Sequence, residues 1–586
     1  MKKIINCPED IVKEMCHGMV LAHPELSWNE RYNFITRKEK NVEKVTLISG
    51  GGSGHEPAHG GFVGKGMLDG AVCGDIFASP SQVQIYQAIR NMAGKQGVLL
   101  IIKNYSGDMM NFKNAAYMAE EDGISVDYVK VDDDIAVQDS LYTVGRRGVA
   151  GTVFVHKIAG AAAERGYTLA QVKAVAEKTV KRVKTIGFAF SSCIVPAKGT
   201  PTFTLDEKDM EYGIGIHGEP GIRREKILKA DELGERMVGA LLEELSEIES
   251  DQVAILVNGL GGTPLQELYV LNHSVREALQ KRNQRVAYDF VGNYMTSIEM
   301  QGASVSILKL DEELEMLLTD TCYTPSLKIT GNIMKSQYCK CDLKKEKIAE
   351  NSLEDKNSIA IRGNELELEN ITCIIKRMME CIIENEQEFC QLDAYAGDGD
   401  FGMSIAKGFR QLEVEWQELK KACKHDIGEF IKACGLVIME YCGGASGPIW
   451  GSAFRAAGKS VEGKRRLEKK DMADLLWSAV HGIQKTGERS FGRGAVLGDK
   501  TLIDALIPCA EKWSELAKTE ASMKEIFQKA AQAAVQGAKS TETIVARMGR
   551  AGTVGKRSLG YPDAGAYALG VIFEYISQGI EDSKED

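Results

Sequence analysis

The sequence lacks several features that would mark a specialised class of protein. Its 586 residues contain no apolar run near the ~18 residues that a membrane-spanning helix needs. There is no block of basic residues, and the net charge of −11 argues against nucleic acid or an anionic membrane as a partner. The amino-terminal segment meets acid at Glu9, too early for a signal-peptide core, so we expect a cytoplasmic protein.

Metal-binding clusters of cysteine and histidine are also missing. Of the 14 cysteines, only Cys339 and Cys341 stand close together, and no second pair or histidine follows at zinc spacing. The nine histidines are scattered. The pattern indicates free thiols in a reducing compartment and argues against a His/Cys metal site.

The first half of the chain has the pattern of an α/β protein. Hydrophobic residues at 44% and charged residues at 26% are typical of globular proteins, and the length predicts three or four packing units at roughly 100–200 residues per domain. Short apolar runs at 44–49, 97–103 and 254–257 each lead into a glycine-rich loop, and helix-like stretches lie between them. Such sheets bind ligands at the carboxyl ends of their strands.

The character of the sequence changes near Lys328. A charged segment, 329–365, reads as a linker. Beyond it, apolar residues recur at helical spacing in stretches such as 371–388, 403–419 and 426–441. The sequence therefore predicts an α/β domain of two subdomains over 1–328 and an all-α domain over 366–581.

Two common phosphate-binding motifs fail on inspection. The run Gly451–Ser460 ends in GKS, but a P-loop needs glycine at position 453, where Ala453 stands. The run Gly213–Gly218 matches GxGxxG, but EPG follows where a helix should open.

The loop LDAYAGDGDFG, residues 392–402, is a better candidate for a phosphate-linked site. It places Asp393, Asp398 and Asp400 among glycines, a spacing that suits a tight loop between two helices with its carboxylates turned inward. Three carboxylates at close range repel unless a cation compensates, and hard oxygen ligands suit Mg²⁺. The alternative is a solvated acidic turn whose aspartates cap the next helix.

Three further glycine-rich loops open helices in the second half, at 443–451, 497–508 and 547–566. Their backbone N–H groups could meet an anion at a helix N-terminus, although plain interhelical turns would look the same. Four such loops in one all-α domain predict a nucleotide site at one end of the bundle.

In the first half, His55 follows one predicted strand, and Lys103 with Asp108 follows the next. A histidine and an aspartate at neighbouring strand ends can form a dyad in which the carboxylate orients the imidazole. Hydrogen bonding within the loop and helix capping are the structural alternatives. His217, between glycines, could be a ligand, a base or a nucleophile. His59 and the remaining histidines, including His156, are assigned structural roles.

These motifs resemble those of the dihydroxyacetone (glycerone) kinase family. In the first half the resemblance is carried by LISGGGSGHEPAHGGFVGKGML, LLIIKNYSGDMMNF, SLYTVGRRGVAGTVFVHKIAGAAAERG and MEYGIGIHGEPGI, among other segments. In the second half it is carried by LDAYAGDGDFG, GGASGPIWGSAF, GDKTLIDALIP and RAGTVGKRSLGYPDAGA. The resemblance covers most of 2–325 and about 366–580.

The resemblance implies an ATP-dependent kinase for dihydroxyacetone that joins a two-subdomain α/β half to an eight-helix barrel. It implies that His217 binds the ketone covalently as a hemiaminal, and that His55 and Asp108 activate the terminal hydroxyl. For attack His217 must be neutral, so with an unperturbed pKa of ~6.5 capture should weaken as the pH falls below that value. The implied substrate-binding residues are Gly52, Ser53, Gly54, His55, Lys103, Asp108 and His217.

For the second half, the resemblance implies that Asp393, Asp398 and Asp400 carry two Mg²⁺ ions. We also expect a homodimer. Two positions depart from the family pattern, Phe401 after the third aspartate and Thr553 in the last loop. The implied nucleotide contacts are Phe401, Gly402, Met403, Ser404, Ala445, Ser446, Gly492, Thr501, Arg550, Asp563, Ala564 and Gly565.

Several alternatives stay open at this point. The ketose could be another small one, such as erythrulose. Some family members also cyclise FAD, others keep ADP bound and take phosphate from a phosphotransferase protein, and a relative of the substrate half acts as a regulator. The fusion of both halves in one chain favours free ATP, and the presence of His55, Asp108 and His217 disfavours a purely regulatory protein.

Overall fold

The computed structural model describes residues 2–137, 145–219, 221–331, 333–337, 359–361, 363–423 and 426–582. Its contacts divide the chain into two units, Met1–Cys341 and Asp342–Asp586. The dividing point falls within the segment predicted as a linker, most of which lies outside the described residues. The predicted domain limits, 1–328 and 366–581, stay predictions.

The first unit contains a six-stranded sheet built around parallel strands. Its strands are β1 (Leu26–Asn29), β2 (Phe34–Arg37), β3 (Thr46–Ser53), β4 (Gly70–Ile76), β5 (Val98–Lys103) and β6 (Val126–Val131). The order is β1-β2-β4-β3-β5-β6, with β4, β3, β5 and β6 parallel and β1 and β2 antiparallel at one edge.

Alternation along the central strands explains why both faces of this sheet are covered. Leu47 and Leu99 point into one core cluster, whereas Ile48 and Leu100 point into another. Side chains alternate between faces with a period of two, so a strand that is apolar at every position needs packing on both sides.

A second six-stranded sheet follows along the chain. Its strands are β7 (Val183–Ala189), β8 (Asp209–Tyr212), β9 (Arg223–Lys226), β10 (Gln252–Gly259), β11 (Arg285–Gly292) and β12 (Gly302–Lys309). Their order is β11-β10-β12-β7-β8-β9, and only β10 and β11 pair in parallel. A short antiparallel pair, β13 (Cys322–Tyr323) and β14 (Lys328–Ile329), comes last in this unit.

Helices fill the space between and outside the two sheets. They are α1 (Ile11–Ala22), α2 (Gln82–Met92), α3 (Ser106–Glu121), α4 (Thr152–Glu164), α5 (Leu169–Arg182), α6 (Ala230–Glu244), α7 (Leu265–Lys281) and α8 (Glu312–Thr319). Helices α2 and α3 cover the outer face of the first sheet, and α6 and α7 that of the second. Helices α4 and α5 share one core with the inner faces of both sheets. The predicted α/β half with two subdomains is confirmed.

The second unit is a closed ring of helices. Its helices are α9 (Leu368–Glu384), α10 (Glu386–Asp393), α11 (Phe401–Ala422), α12 (Ile427–Tyr441), α13 (Ser446–Ser460), α14 (Lys469–Phe491), α15 (Ile503–Leu516), α16 (Met523–Ser540) and α17 (Ala564–Gln578). Leaving aside the short α10, each helix packs on the next, and α17 returns to α9. Among the described residues this gives the eight-helix barrel that the resemblance implies.

Helical periodicity accounts for the ring. In α9, the buried residues Ile371, Ile375, Met379 and Ile382 recur at spacings of three and four, which places them on one face. The ring interior keeps an apolar cavity of about 150 Å³. None of the helices in the described ranges is long and apolar enough to cross a membrane.

Short strands that the sequence analysis does not predict accompany the ring. The strand β15 (Ile359–Ile361) pairs with β18 (Ile580–Asp582), and β16 (Glu365–Glu367) pairs with β17 (Arg466–Glu468). Each is three residues long. A run this short shows no clear alternation in the sequence. The strand β15 therefore falls inside the segment predicted as a linker, and β16 begins at the last residue of that segment.

Candidate active site

Two neighbouring parallel strands of the first sheet bring three predicted residues to one edge. His55 follows the end of β3, Lys103 is the last residue of β5, and Asp108 lies in the first turn of α3. Because β3 and β5 pair in parallel, their carboxyl ends meet. All three side chains are buried.

His217 reaches the same place from the other sheet. It lies in the loop between β8 and β9, and its Nε2 is 3.3 Å from the Nε2 of His55. The two rings meet edge to face, at an interplanar angle of 89°. This contact joins residues 162 positions apart in the sequence.

A buried ion pair holds the loop that carries His217. One carboxylate oxygen of Glu219 accepts the backbone N–H of His217 at 2.9 Å, and the other contacts the Arg147 guanidinium at 2.9 Å. Arg147 also pairs with Asp134 and donates to the carbonyl of Gly213. Buried charges must be paired, and these contacts connect the loop to Arg147.

The His55 ring is oriented by a backbone group, not by Asp108 as the sequence analysis proposed. Its Nδ1 donates to the carbonyl of Thr296 at 2.8 Å. The contacts of Asp108 are with Lys103, at 3.8 Å from Nζ, and with the hydroxyl of Ser79. The predicted dyad is therefore wrong in its geometry, since the two side chains have different partners.

The segment after β11 supplies this carbonyl. The backbone N–H of Thr296 bonds back to the carbonyl of His55 at 3.1 Å, and that of Ile298 bonds to the carbonyl of Gly54 at 2.8 Å. A carbonyl accepts only, so His55 carries a proton on Nδ1. The neutral ring then presents a lone pair on Nε2 towards His217.

Burial keeps both imidazoles neutral. The pKa of His217 is lowered to about 3 by burial and by the nearby charges of Lys103 and Arg147. The pKa of His55 lies well below its usual value because of burial, His217 and Lys103. A pKa of ~6.5 holds for a solvated imidazole. Because the pKa of the buried His217 is lower, ketone capture is not expected to weaken just below pH 6.5.

Lys103 and Asp108 form a charge pair next to the histidines. Burial lowers the pKa of Lys103 and raises that of Asp108, and each charge opposes the shift of the other. A Cβ at Gly51 would come within 2.6 Å of the Lys103 Nζ, so the glycine at this point of β3 makes room for the ammonium.

The loop predicted to touch the substrate is tightly packed. A Cβ at Gly52 would come within 2.6 Å of the Ala78 nitrogen, and Gly54 has a positive φ of 100°. The hydroxyl of Ser53 donates to the carbonyl of Gly74 at 2.7 Å. Ser53 thus stabilises the loop through its side chain, and its backbone carbonyl accepts the N–H of Phe77 at 2.9 Å.

Sequence reasoning missed several residues around the histidine pair. Phe77 stacks on His55 with ring centres 5.2 Å apart, and Tyr105 contacts His217 at 4.3 Å. The other groups near the histidine pair that were not predicted are Arg147, Glu219 and the Thr296 carbonyl. Glu219, two residues after His217, was visible in the sequence, but its hydrogen bond to the backbone N–H of His217 was not predicted.

In the second unit, the acidic loop gathers its three carboxylates. Asp393 ends α10 and Asp400 stands at the N-cap position of α11, and with Asp398 they offer ligand oxygens within 4.8 Å of one another. Asp393 also accepts the N–H of Gly399 at 2.9 Å. A Cβ at Gly397 would come within 2.3 Å of the Asp393 carboxylate, so the glycine leaves room for that carboxylate in its present position. The donor set fits a hard divalent cation such as Mg²⁺.

A cavity of about 190 Å³ adjoins this loop. Its walls include Asp393 and Asp400, the loop before α13 and the loop before α17. Eight of the predicted nucleotide contacts line it: Phe401, Ser404, Ala445, Ser446, Thr501, Asp563, Ala564 and Gly565.

The other four predicted contacts have different surroundings. Gly402 allows α11 to approach the Glu386 carbonyl, which a Cβ would meet at 2.1 Å. Met403 is exposed, and Gly492 ends α14 with a φ of 75° outside the cavity lining. The side chain of Arg550, like that of the departure Thr553, lies outside the described part of the chain. The other departure, Phe401, packs against Phe389 at 6.2 Å.

A buried lysine organises the last loop of the cavity. The Lys500 ammonium donates to the carbonyls of Thr541, Ser558 and Tyr561 at 2.8, 2.5 and 2.8 Å. Asp563 caps α17, and burial raises its pKa to about 7, helped by the charge of Asp504. Sequence reasoning quoted the GDKT motif but did not assign this role to its lysine.

Comparisons with known proteins agree with this division of the chain. Residues 17–326 match the Dak1 domain, and residues 395–578 match the DAK2 domain. The chain therefore belongs to the dihydroxyacetone kinase family, in the form that carries both domains in a single chain.

Three relatives show the range of the similarity. The dihydroxyacetone-binding subunit DhaK of the PTS-dependent dihydroxyacetone kinase 1 of Listeria innocua is 51% identical over 53% of this chain and 95% of its own. The L-erythrulose kinase of Pectobacterium atrosepticum is 33% identical over 98% of this chain and 96% of its own. The triokinase/FMN cyclase of Rattus norvegicus is 32% identical over 99% of both chains.

A solved structure covers nearly the whole chain. The dihydroxyacetone kinase of C. freundii, in complex with AMP-PNP and Mg²⁺, is 30% identical over 98% of this chain and 99% of its own, with a TM-score of 0.60.

Proposed function

We propose that this protein transfers the γ-phosphate of ATP to the terminal hydroxyl of a small ketose, with dihydroxyacetone as the first candidate. His217 would hold the ketose covalently through its carbonyl carbon. The observation that carries this proposal is the pair of neutral histidines, 3.3 Å apart, beside the buried Lys103 and Asp108.

The tautomers of this pair supply a balanced route for carbonyl capture. With its proton on Nδ1, His55 accepts from the Nε2–H of His217. As the Nε2 of His217 bonds to the carbonyl carbon, its proton passes to His55 and then to the carbonyl oxygen, which becomes a hydroxyl. The carbonyl π bond breaks, and both rings end neutral.

His55 is then free to act again. Its Nε2 lone pair is restored, so it can accept the proton of the terminal hydroxyl when that oxygen attacks phosphorus. Lys103 at the end of β5 and Asp108 in the first turn of α3 lie beside His55, where they can bind the hydroxyls of the ketose. Both roles of His55 require a lone pair on its Nε2. The hydrogen bond from Nδ1 to the Thr296 carbonyl keeps the proton on Nδ1 and so leaves this lone pair available.

The second unit would bind the nucleotide. ATP would occupy the cavity beside the acidic loop, and Asp393, Asp398 and Asp400 would hold Mg²⁺. The ion neutralises the charge of the transferring phosphate when it is bound. The complex of the C. freundii kinase with AMP-PNP and Mg²⁺ supports this assignment.

The test is a panel of acceptors with ATP and Mg²⁺. We expect ADP release and a phosphorylated product with dihydroxyacetone or with D- or L-erythrulose, and little with glycerol. The kcat/KM values of the ketoses identify the preferred substrate. Erythrulose is included because one relative is an L-erythrulose kinase. No product with any ketose would contradict the proposal. Formation of a cyclic flavin nucleotide from added FAD would favour the FAD-cyclising alternative. Activity only with a phosphotransferase protein as the phosphate donor would favour a bound-ADP mechanism.

Replacing His55 by alanine should lower kcat by ~10²-fold or more, the usual contribution of a positioned general base. The loss should appear with saturating ketose and ATP. His273→Ala is a matched control because His273 is exposed on α7. A His55→Ala enzyme with unchanged kcat would leave His55 a structural role only.

Ketose binding should be nearly independent of pH between 8 and 5. Because the pKa of His217 is lowered to about 3, the neutral, nucleophilic ring persists throughout this window. An imidazole of pKa ~6.5 would be mostly protonated at pH 5, and affinity would fall ~30-fold. Calorimetric titration of dihydroxyacetone into the ATP-free protein measures this without interference from the nucleotide site. A 30-fold loss by pH 5 would contradict the pKa assigned to His217.

A further inference from the structure

A second pair of histidines lies behind Lys103. The Nζ of Lys103 is 3.1 Å from the Nε2 of His59, and the Nδ1 of His59 is 2.9 Å from the Nε2 of His156. Both histidines were predicted to be structural, and neither has a part in the proposed reaction.

The three side chains come from separate elements and meet in the interior. Lys103 ends β5, His59 lies in the loop between β3 and β4, and His156 lies in α4. Lys103 and His156 are 0% exposed and His59 is 5% exposed. With so little access to solvent, their N–H groups depend on protein partners, and a buried polar group without a partner is costly.

The numbers of donors and acceptors determine the direction of the hydrogen bonds that connect Lys103, His59 and His156. Burial, with the charge of Lys103, lowers the pKa of both imidazoles, so each ring is neutral and carries one N–H. An ammonium only donates, so the Nε2 of His59 must accept from Lys103. The proton of His59 then lies on Nδ1 and is donated to the Nε2 of His156. The proton of His156 therefore lies on Nδ1, a buried nitrogen without a hydrogen-bond partner among the described residues. An unpaired N–H on the buried ammonium would cost more, because unsatisfied charged groups carry the larger penalty.

Ser49 supports the same tautomer independently. Its hydroxyl donates to the carbonyl of Ile101 at 2.7 Å, and its oxygen lies 3.4 Å from the Nδ1 of His59. Since its only proton is used, Ser49 can only accept from that nitrogen. Ser49 and His156 thus both favour a proton on Nδ1, which leaves the Nε2 of His59 as an acceptor.

We propose that His59 is a positioning residue for Lys103, and that His156 and Ser49 set its tautomer. His59 accepts one of the three N–H groups of the ammonium and so holds the charge in place, while the other two point towards Asp108 and the ketose. The proposal rests on the proposed function, because the ketose is the group that the positioned ammonium would bind.

The need for such an acceptor follows from the surroundings of Lys103. The Asp108 carboxylate is 3.8 Å away, longer than a hydrogen bond, and the Tyr105 ring centre is 5.9 Å away. The charge also acts on His55 and His217 across the site. Without His59, the buried ammonium would lose its closest acceptor, and its neutral form would be favoured.

The test compares His59→Phe, which removes the acceptor, with His59→Gln, which can return one at a similar reach. We expect His59→Phe to move the alkaline limb of the kcat/KM profile for dihydroxyacetone to lower pH by about one unit, because Lys103 loses its proton more easily. His59→Gln should restore most of the wild-type limb. His156→Phe should shift it in the same direction by less, since Ser49 still accepts from His59.

A stability cycle tests the contact without any use of activity. His59→Phe should lower Tm at pH 8 clearly in the wild-type background and much less in the Lys103→Met background, where no ammonium needs an acceptor. Equal Tm changes in both backgrounds would overturn the inference, even if the protein phosphorylated no ketose. In an active enzyme, identical alkaline limbs for the wild type and both His59 variants would also overturn it.

Discussion

Asp398→Asn is expected to reduce ketose phosphorylation by ~10³-fold or more, the scale of a metal ion's contribution to transition-state charge stabilisation. Asp398 offers one of three carboxylate oxygens that lie within 4.8 Å of one another beside the nucleotide cavity. An amide has no charge to balance the cation, so the affinity for Mg²⁺ should fall. Initial rates at several Mg²⁺ concentrations measure the effect.

The first unit should be unaffected by this change. Calorimetric binding of dihydroxyacetone should match that of the wild type, because the ketose residues lie in Met1–Cys341 and Asp398 lies in the other unit. Asp474→Asn is the matched control, since Asp474 is an exposed carboxylate of α14. An Asp398→Asn enzyme that works at near wild-type rates in Mg²⁺ would remove the acidic loop from the mechanism.

His217→Ala should raise the KM for dihydroxyacetone steeply and lower the preference for ketone over glycerol by ~10²-fold or more. Glycerol differs from dihydroxyacetone by one oxidation level, and a pocket that relied on hydroxyl contacts would separate them poorly. A covalent bond to the carbonyl carbon distinguishes them because glycerol has no carbonyl. The ratio of kcat/KM for the two compounds measures the preference.

The His217 variant has two useful comparisons. His273→Ala should leave the ratio unchanged, because that side chain is exposed on α7. Glu219→Gln keeps an acceptor for the His217 N–H but loses the charge that pairs with Arg147, so its effect should be intermediate. A His217→Ala enzyme that still rejects glycerol as the wild type does would show that discrimination lies elsewhere.

Sequence reasoning succeeded where the chemistry is local or follows from parallel pairing. Asp393, Asp398 and Asp400 belong to one loop, so their spacing alone predicts that the carboxylates meet. His55 follows β3 and Lys103 ends β5, and the carboxyl ends of these adjacent parallel strands lie at one edge of the sheet.

Contacts between the two sheets could not be predicted in the same way. His55 and His217 meet although 162 residues separate them, and nothing in either local sequence encodes that distance. The group that orients His55 is the Thr296 carbonyl, which every residue type possesses and which therefore leaves no side-chain signal. The assumed dyad with Asp108 failed for this reason.

Burial was the other quantity that the sequence did not show. His59 and His156 resemble ordinary core histidines in the sequence, and only their distances to Lys103 indicate a shared role. The lowered pKa of His217 likewise depends on packing and on Lys103 and Arg147, which lie far from it in the chain.

The most direct test of the account is a crystal of the protein soaked with dihydroxyacetone near neutral pH, without nucleotide. The account predicts continuous electron density from the Nε2 of His217 to a tetrahedral carbon of the ketose, with His55 within hydrogen-bond distance of the new hydroxyl. A planar ketone lying free of His217, or bound away from His55 and Lys103, would contradict it.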